Sequence, residues 1–497
     1  LVVTANNRLL FEPRLGPNSR LLEKAYEYRF PDGAKLKIHF TDQSLEAGHE
    51  SPRFARDVLD AAVQAYQTIT EFQGFSTPGY SFADPDRGYA ADPDRTIDVF
   101  VGDPSGDVSF RNGFTRLSFK DAPCFDTVRV GENEFQAVIL LPSNYKEFIR
   151  NWERINPSSL GTRNVEVDLR GTLIHEMLHV VVFYYNRNLN KDLGQPETAR
   201  SGRARKLDWY VEGLARYFET FAGARHDFFS QGFKQTLPDK IRFSRGGSNY
   251  FMRYPDQAFT DLRYENAIFW RFIDYRYGME KIEKLSREFR NSGQGDFHES
   301  LERLTGIPFK DLLKKFALAT LFNDFGLKDD AAYLKEIART RLAYSADGFS
   351  LVDGAGARRP LGPVCSTDWI GRWDKASARL GEAPVAGDST EKSDVSGWAT
   401  DFYEISLDAE APKLPWLGVR HEKGGMPLAG QIVLLTKGGS TIFGDLPDVP
   451  AGETRGLDLK RLADANGLIA ADIDRVYVLV SNTDPKTVAD YSLASKA

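Results

Sequence analysis

The chain has 497 residues, of which 41% are hydrophobic, 27% charged and 12% aromatic, and its formal net charge is −6. That length is more than one hydrophobic core serves, so two or three domains are expected. The near-balanced charge, with no basic stripe and no lysine-rich tail, gives no global field for nucleic acid or an anionic membrane.

No run of about 18 apolar residues occurs, so no segment is expected to span a bilayer. The chain opens "LVVTANNRLL", without a charged start followed by an apolar block. A secretory leader is therefore expected to be absent or already removed. Residues 1–33 read as an irregular arm with a short helix near 21–28. "AKLKIHF" (34–40) alternates and predicts a strand. Ser51 caps a run with apolar positions at helical spacing that ends at Gly74. "RTIDVFVGD" and "QAVILLPS" (136–143) predict two more strands, and a long helix follows around 172–185.

Further helices are expected over about 208–221 and from about 258 to 278. They continue through "MEKIEKLSREFRN", "FHESLERLT", "FKDLLKKFALATLFNDFG" and "DDAAYLKEIARTRL". Residues 343–397 turn rich in Gly, Ala, Ser, Asp and Pro and read as a loop-rich linker. After Trp398 the pattern becomes short alternating runs between turn residues: "DFYEISL", "WLGVRHE", "GQIVLLTKG", "RVYVLVSNT" and "ADYSLASKA". These predict a β-sandwich over 398–497. Trp416 there reads as a core aromatic or part of a binding face. The fold class is α+β: an arm (1–33), a domain over 34–342 with a sheet half (34–207) and a helical half (208–342), the linker, and the β domain.

Only two cysteines occur, Cys124 and Cys365, and neither has zinc-site spacing. So few fits an exported protein, secreted or periplasmic. One disulfide and two unrelated thiols both remain open.

The chemistry concentrates in "TLIHEMLHVVVFYY" (172–185). On a helix, His175 and His179 share a face one turn apart, where two imidazoles can take one divalent cation. Glu176 projects beside them, where a carboxylate can take a proton from metal-bound water. The plainer reading is a core helix with two satisfied histidines. A third donor is offered by "DWYVEGLARYFETFAG", in which Glu212 lies 33 residues after His179. Two imidazoles and one carboxylate leave a position open for water, the arrangement of a catalytic zinc rather than a structural one. Its apolar neighbours Trp209, Val211 and Leu214 argue against a merely solvated carboxylate.

"HEMLH" followed by "WYVEGLARYFE" resembles the gluzincin zinc peptidases, in particular the W-x-x-E-G-x-A-x-Y-x-E helix of the aminopeptidase and related branches. The resemblance implies one catalytic Zn²⁺ held by His175, His179 and Glu212, with Glu176 as general base. It implies that Glu219, the last glutamate of that helix, receives the second N–H of a ligating histidine, a place for which Asp168 and Asp208 also compete. "YENAIFW" (264–270) is similar to the family's Y-E-K-G-A segment, which makes Tyr264 the oxyanion donor, with Tyr250 and Tyr254 as rivals. The family's edge strand beside the active helix pairs with extended substrate. That points to Val138, Ile139 and Leu140 as substrate-binding, although their near-continuous apolar run equally fits a buried interior strand.

Two departures stand out. The spacing from the second histidine to the glutamate is longer than in the aminopeptidases, and 186–206 reads as an exposed loop. The G-x-M-E-N element that grips a free amine is missing, so internal peptide bonds are the expected target. The expected protein is a monomeric zinc endopeptidase acting on proteins or peptides. Its rivals are an adhesive surface protein with an unproductive peptidase-like domain, and a zinc hydrolase of non-peptide amides or esters.

Overall fold

The computed structural model describes residues 2–5, 14–15, 24–40, 51–75, 96–102, 107–109, 116–118, 124–129, 135–145, 165–185, 208–222, 266–288, 294–322, 324–325, 340–345, 348–352, 358–360, 394–395, 397–407, 413–484 and 487–496. They have mixed α+β structure and fall into two compact units: 1–247 with 273–300, and 248–272 with 301–497.

Among the described residues, nine strands lie in the first unit: β1 (Val2–Ala5), β2 (Arg14–Leu15), β3 (Lys24–Arg29), β4 (Lys35–Phe40), β5 (Thr96–Gly102), β6 (Asp107–Ser109), β7 (Arg116–Ser118), β8 (Cys124–Arg129) and β9 (Phe135–Pro142). Six form one sheet in the order β1-β3-β4-β5-β9-β8, and β2, β6 and β7 form a small separate one. The pairs β4–β5 and β5–β9 are parallel, and the others in the larger sheet are antiparallel. β3 corrects the helix expected near 21–28. Its residues pair with β1 on one side and β4 on the other, and the β3–β4 turn is closed by Gly33 at φ 88°. Val2–Ala5 and Lys24–Arg29 thus belong to the sheet.

β9 settles which strand is at the edge. Val138, Ile139 and Leu140 pair with β5 on one side and β8 on the other, and are at most 1% exposed. Their backbone groups are already used, so the expectation that they bind substrate is corrected. An unbroken apolar run marks a strand buried on both faces, and among the described residues the outer strand on this side is β8.

Helix α1 (Ser51–Gln67) packs on β3, β4 and β5, and its Phe54, Val58, Leu59, Ala62 and Tyr66 are all buried. Tyr66 also donates to Asp32 Oδ2 at 2.8 Å, fastening the helix to the β3–β4 turn. Helix α2 (Val165–Tyr185) packs against α1 and against β8 and β9. Leu173, Ile174, Met177, Leu178, Val181 and Val182 are all buried, so α2 is enclosed on several sides and lies in the core. Each such side chain stabilises the fold by about 1.5–3 kcal/mol relative to an exposed one.

Helix α3 (Asp208–Phe218) lies against α2 and tightens into a 3₁₀ turn, Glu219–Ala222. After it come α4 (Ala267–Tyr277), α5 (Met279–Glu288), α6 (Gln294–Thr305) and α7 (Phe309–Phe322). α4 ends at Gly278, whose φ of 91° is the left-handed conformation that closes helices. Residues 258–265, expected to open this helix, lie outside the described residues, as do the loop 186–206 and Cys365.

In the second unit the strands are β10 (Thr340–Ser345), β11 (Gly348–Val352), β12 (Arg358–Pro360), β13 (Asp394–Val395), β14 (Thr400–Leu407), β15 (Trp416–Lys423), β16 (Leu428–Thr436), β17 (Thr441–Val449), β18 (Thr454–Asp458), β19 (Ile473–Asn482) and β20 (Ala489–Lys496), with a short helix α8 (Leu459–Asp464). Seven strands run β12-β11-β10-β14-β19-β16-β17, and four run β13-β20-β15-β18. The apolar faces of both sheets share one core, including Tyr403, Ile432, Leu434, Val476 and Val478 from the larger and Leu417, Val419, Tyr491 and Leu493 from the smaller. The half-buried Trp416 indole lies across Gly418 and Gly456, where a Cβ would come within 2.4 and 2.3 Å of it.

Two expectations about boundaries change here. Residues 340–342 were expected to end a helix, but they begin β10, which pairs parallel with β14. β10, β11 and β12, which fall largely in the stretch expected to be loop-rich, are thus strands of the seven-stranded sheet. α7 also belongs to this unit: it packs on β16 and β19, and Phe309 meets Trp398 with ring centroids 4.9 Å apart.

Candidate metal centre

The site starts from helical spacing on α2. His175 and His179, four residues apart, stand with ring centroids 4.7 Å apart at 81°. Both are buried, which is unusual for imidazoles on an apolar helix without partners. The partner is supplied by α3. Trp209 and Tyr210 fix that helix: the Trp209 ring meets Phe297 edge to face at 4.7 Å, and the Tyr210 hydroxyl is 2.9 Å from Ser286 Oγ. So anchored, α3 turns Glu212 towards the histidines. Glu212 Oε2 lies 3.2 Å from His175 Nε2 and 3.8 Å from His179 Nε2.

These three side chains offer one donor atom each within 4.8 Å of one another, the only such group among the described residues. Zinc bonds to nitrogen and oxygen of about 2.0–2.2 Å in a tetrahedral array place ligand atoms roughly 3.3 Å apart. The 3.2 Å separation matches that spacing, and the 3.8 Å one exceeds it by about half an ångström. The donor set therefore fits a divalent metal ion.

A supporting layer comes from the 3₁₀ turn at the end of α3. Tightening there brings Glu219 back against α2, with Oε1 2.8 Å from His175 Nδ1. At that distance the Glu219 carboxylate can accept the Nδ1–H of His175, while Nε2 faces Glu212. Glu219 is itself held by Arg216, whose Nη1 donates to Oε1 at 3.0 Å and to Oε2 at 2.8 Å. Arg216 was not singled out from sequence. Its signal was there: three residues before one glutamate and four after another, the spacings at which helical side chains meet.

Burial alone would push the His175 imidazole down. The hydrogen bonds to Glu212 and Glu219 and the charges of Glu176 and Glu219 outweigh it, raising the group to about 9. A cation at Nε2 competes with that proton. Three carboxyl groups, Glu176, Glu212 and Glu219, stand around the two imidazoles against the one guanidinium of Arg216, an acidic setting that favours a cation.

Glu176 is buried next to His175 on α2. One turn earlier, four residues before Glu176, Thr172 Oγ1 lies 2.7 Å from the hydroxyl of the buried Tyr145. That pair fastens the end of β9 to the helix on the turn before the histidines. Tyr264, Tyr250 and Tyr254 lie outside the described residues. No described helix is long and apolar enough to cross a membrane. No protein-family model matches the chain, and no curated protein matches it in sequence.

Proposed function

We propose that this chain is a zinc-dependent hydrolase of peptide bonds in protein substrates, a gluzincin-type endopeptidase. His175, His179 and Glu212 hold the metal and Glu176 is the general base. One observation carries the reading: three buried donors from two packed helices converge within 4.8 Å, with a carboxylate next in sequence to the first. A zinc ion bound there would supply Lewis-acid polarisation of a carbonyl and a lowered pKa for water.

The chain's own groups do the rest. Glu176 accepts the proton of the attacking water and returns it to the leaving amine. Glu219 keeps the Nδ1–H of His175 engaged, so that Nε2 remains the donor atom. Burial of all these groups strengthens each interaction relative to water. Tyr264 keeps its proposed role as hydroxyl donor to the developing oxyanion.

β8, the outer strand of the sheet that α2 packs on, is the better candidate for pairing with extended substrate. The missing amine-gripping element favours internal bonds over chain ends. We read the two sheets of the second unit as a sandwich module, and the chain as an exported, monomeric protein. The test is zinc content together with cleavage of casein and of acyl esters, with and without a chelator. The reading expects one zinc per chain and chelator-sensitive casein cleavage that Glu176→Gln abolishes with zinc retained. Undiminished cleavage by that variant, with contaminating protease excluded, would overturn it.

A further inference from the structure

We propose that Arg216 is a positioning residue for the metal centre, acting through Glu219 on His175; the inference rests on the metal reading above. Glu219 is 2% exposed, and its carboxylate is gripped from both oxygens by one guanidinium nitrogen, at 3.0 and 2.8 Å. The same Oε1 that takes the first of these contacts meets His175 Nδ1 at 2.8 Å. A carboxylate held at two oxygens cannot rotate away from the imidazole, and charge-assisted bonds of this kind are about twice as strong as neutral ones. The chain Arg216–Glu219–His175 therefore fixes the ring plane that presents Nε2 beside Glu212.

Two physical effects of Arg216 oppose one another. As a positive charge near a cation, it repels the metal, so on Coulomb grounds alone its removal would tighten binding. As the anchor of Glu219, its removal would loosen the ligand and weaken binding. Outer partners of metal ligands are typically worth about 10–100-fold in affinity, so the positioning effect is expected to win. A single nitrogen makes both contacts, so a lysine ammonium can replace it, which a role needing the planar fork would not allow.

The experiment measures zinc affinity of the full chain by competition with a chromophoric chelator, and the visible spectrum of the cobalt-substituted form. The variants are Arg216→Gln, Arg216→Lys, Glu219→Gln and the double variant R216Q/E219Q, each checked by circular dichroism. The expected result is a loss of about 10–100-fold in R216Q with an altered cobalt spectrum, and near-complete rescue in R216K. With the Glu219 carboxylate gone the proposed path from Arg216 to His175 is broken, so R216Q/E219Q should bind zinc no more weakly than E219Q. The double variant leaves no buried carboxylate without its cation, so it carries the test if R216Q does not fold. Zinc affinity in R216Q equal to or tighter than in the unaltered chain overturns the inference and leaves the metal reading standing. Further loss in the double variant relative to E219Q also overturns it. An unaltered chain that takes up no zinc overturns both.

Discussion

Zinc affinity should depend on pH through His175. With its imidazole raised to about 9 by Glu212, Glu219 and Glu176 against the opposing effect of burial, metal must displace a proton. At pH 7 a group of that pKa is protonated in all but about 1% of molecules, so the apparent affinity is about 100-fold below its value above pH 9. Between pH 7 and 9 it should rise about tenfold per unit. Each zinc bound at pH 7 should release about one proton from this ring. Titration calorimetry in buffers of different ionisation enthalpy counts that proton, and chelator competition at several pH values gives the slope. Stability of chelator-treated protein should move the other way. The folded pKa lies above the unfolded value of 6.5, so the stabilising contribution is complete below pH 6.5 and is lost as pH rises through about 9. Zinc affinity independent of pH from 7 to 9, with no proton released, would refute the account of how His175 is held.

Other expectations concern single residues. Glu176→Gln should keep zinc affinity within a few-fold while lowering peptide hydrolysis by about 10²–10⁴, read by atomic absorption and casein digestion. Trp209→Ala removes a fully buried ring that meets Phe297 at 4.7 Å, and should cost about 3–5 kcal/mol in urea unfolding. Zinc affinity should fall with it, because Trp209 is three residues from Glu212 on the same helix. Tyr145→Phe leaves Thr172 without its 2.7 Å partner and should cost about 1 kcal/mol in the same assay. Breaking the exposed pair of Lys310 with Asp448 by Lys310→Ala should change stability by under about 1 kcal/mol.

The clustering of His175, His179 and Glu212 was legible because it is written in local spacing. Two histidines four apart on a helix with no breaker can only share a face, and the second helix carried Glu212 and Glu219 in the same register. Arg216 was harder to see, since an arginine near glutamates on a helix usually forms a solvated pair. Here Glu219 sits on the 3₁₀ turn rather than on α3 proper, and that tightening buries the pair.

The misread elements failed where tertiary pairing overrides local preference. "LLEKAYEY" is made of good helix formers, yet its latter part is β3, because β1 and β4 both hydrogen-bond to it. "ARTRL" reads as a helix end until the parallel partner β14, some 60 residues on, claims it. β17 was missed because one side is largely exposed and Gly444 and Pro447 interrupt it. Proline is tolerated there at the sheet edge, beside an irregularity in register. The edge strand was misplaced for the converse reason: β9 looks like a strand from any distance, but only its pairing shows that β8 lies outside it.

The account is tested most directly by X-ray absorption at the zinc edge on the zinc-loaded full chain, alongside the Glu212→Gln variant. It predicts one zinc per chain with only nitrogen and oxygen neighbours at about 2.0–2.2 Å, two of them imidazoles, and a weakened site in the variant. Substoichiometric zinc, a sulfur neighbour, or a spectrum unchanged by Glu212→Gln would contradict it.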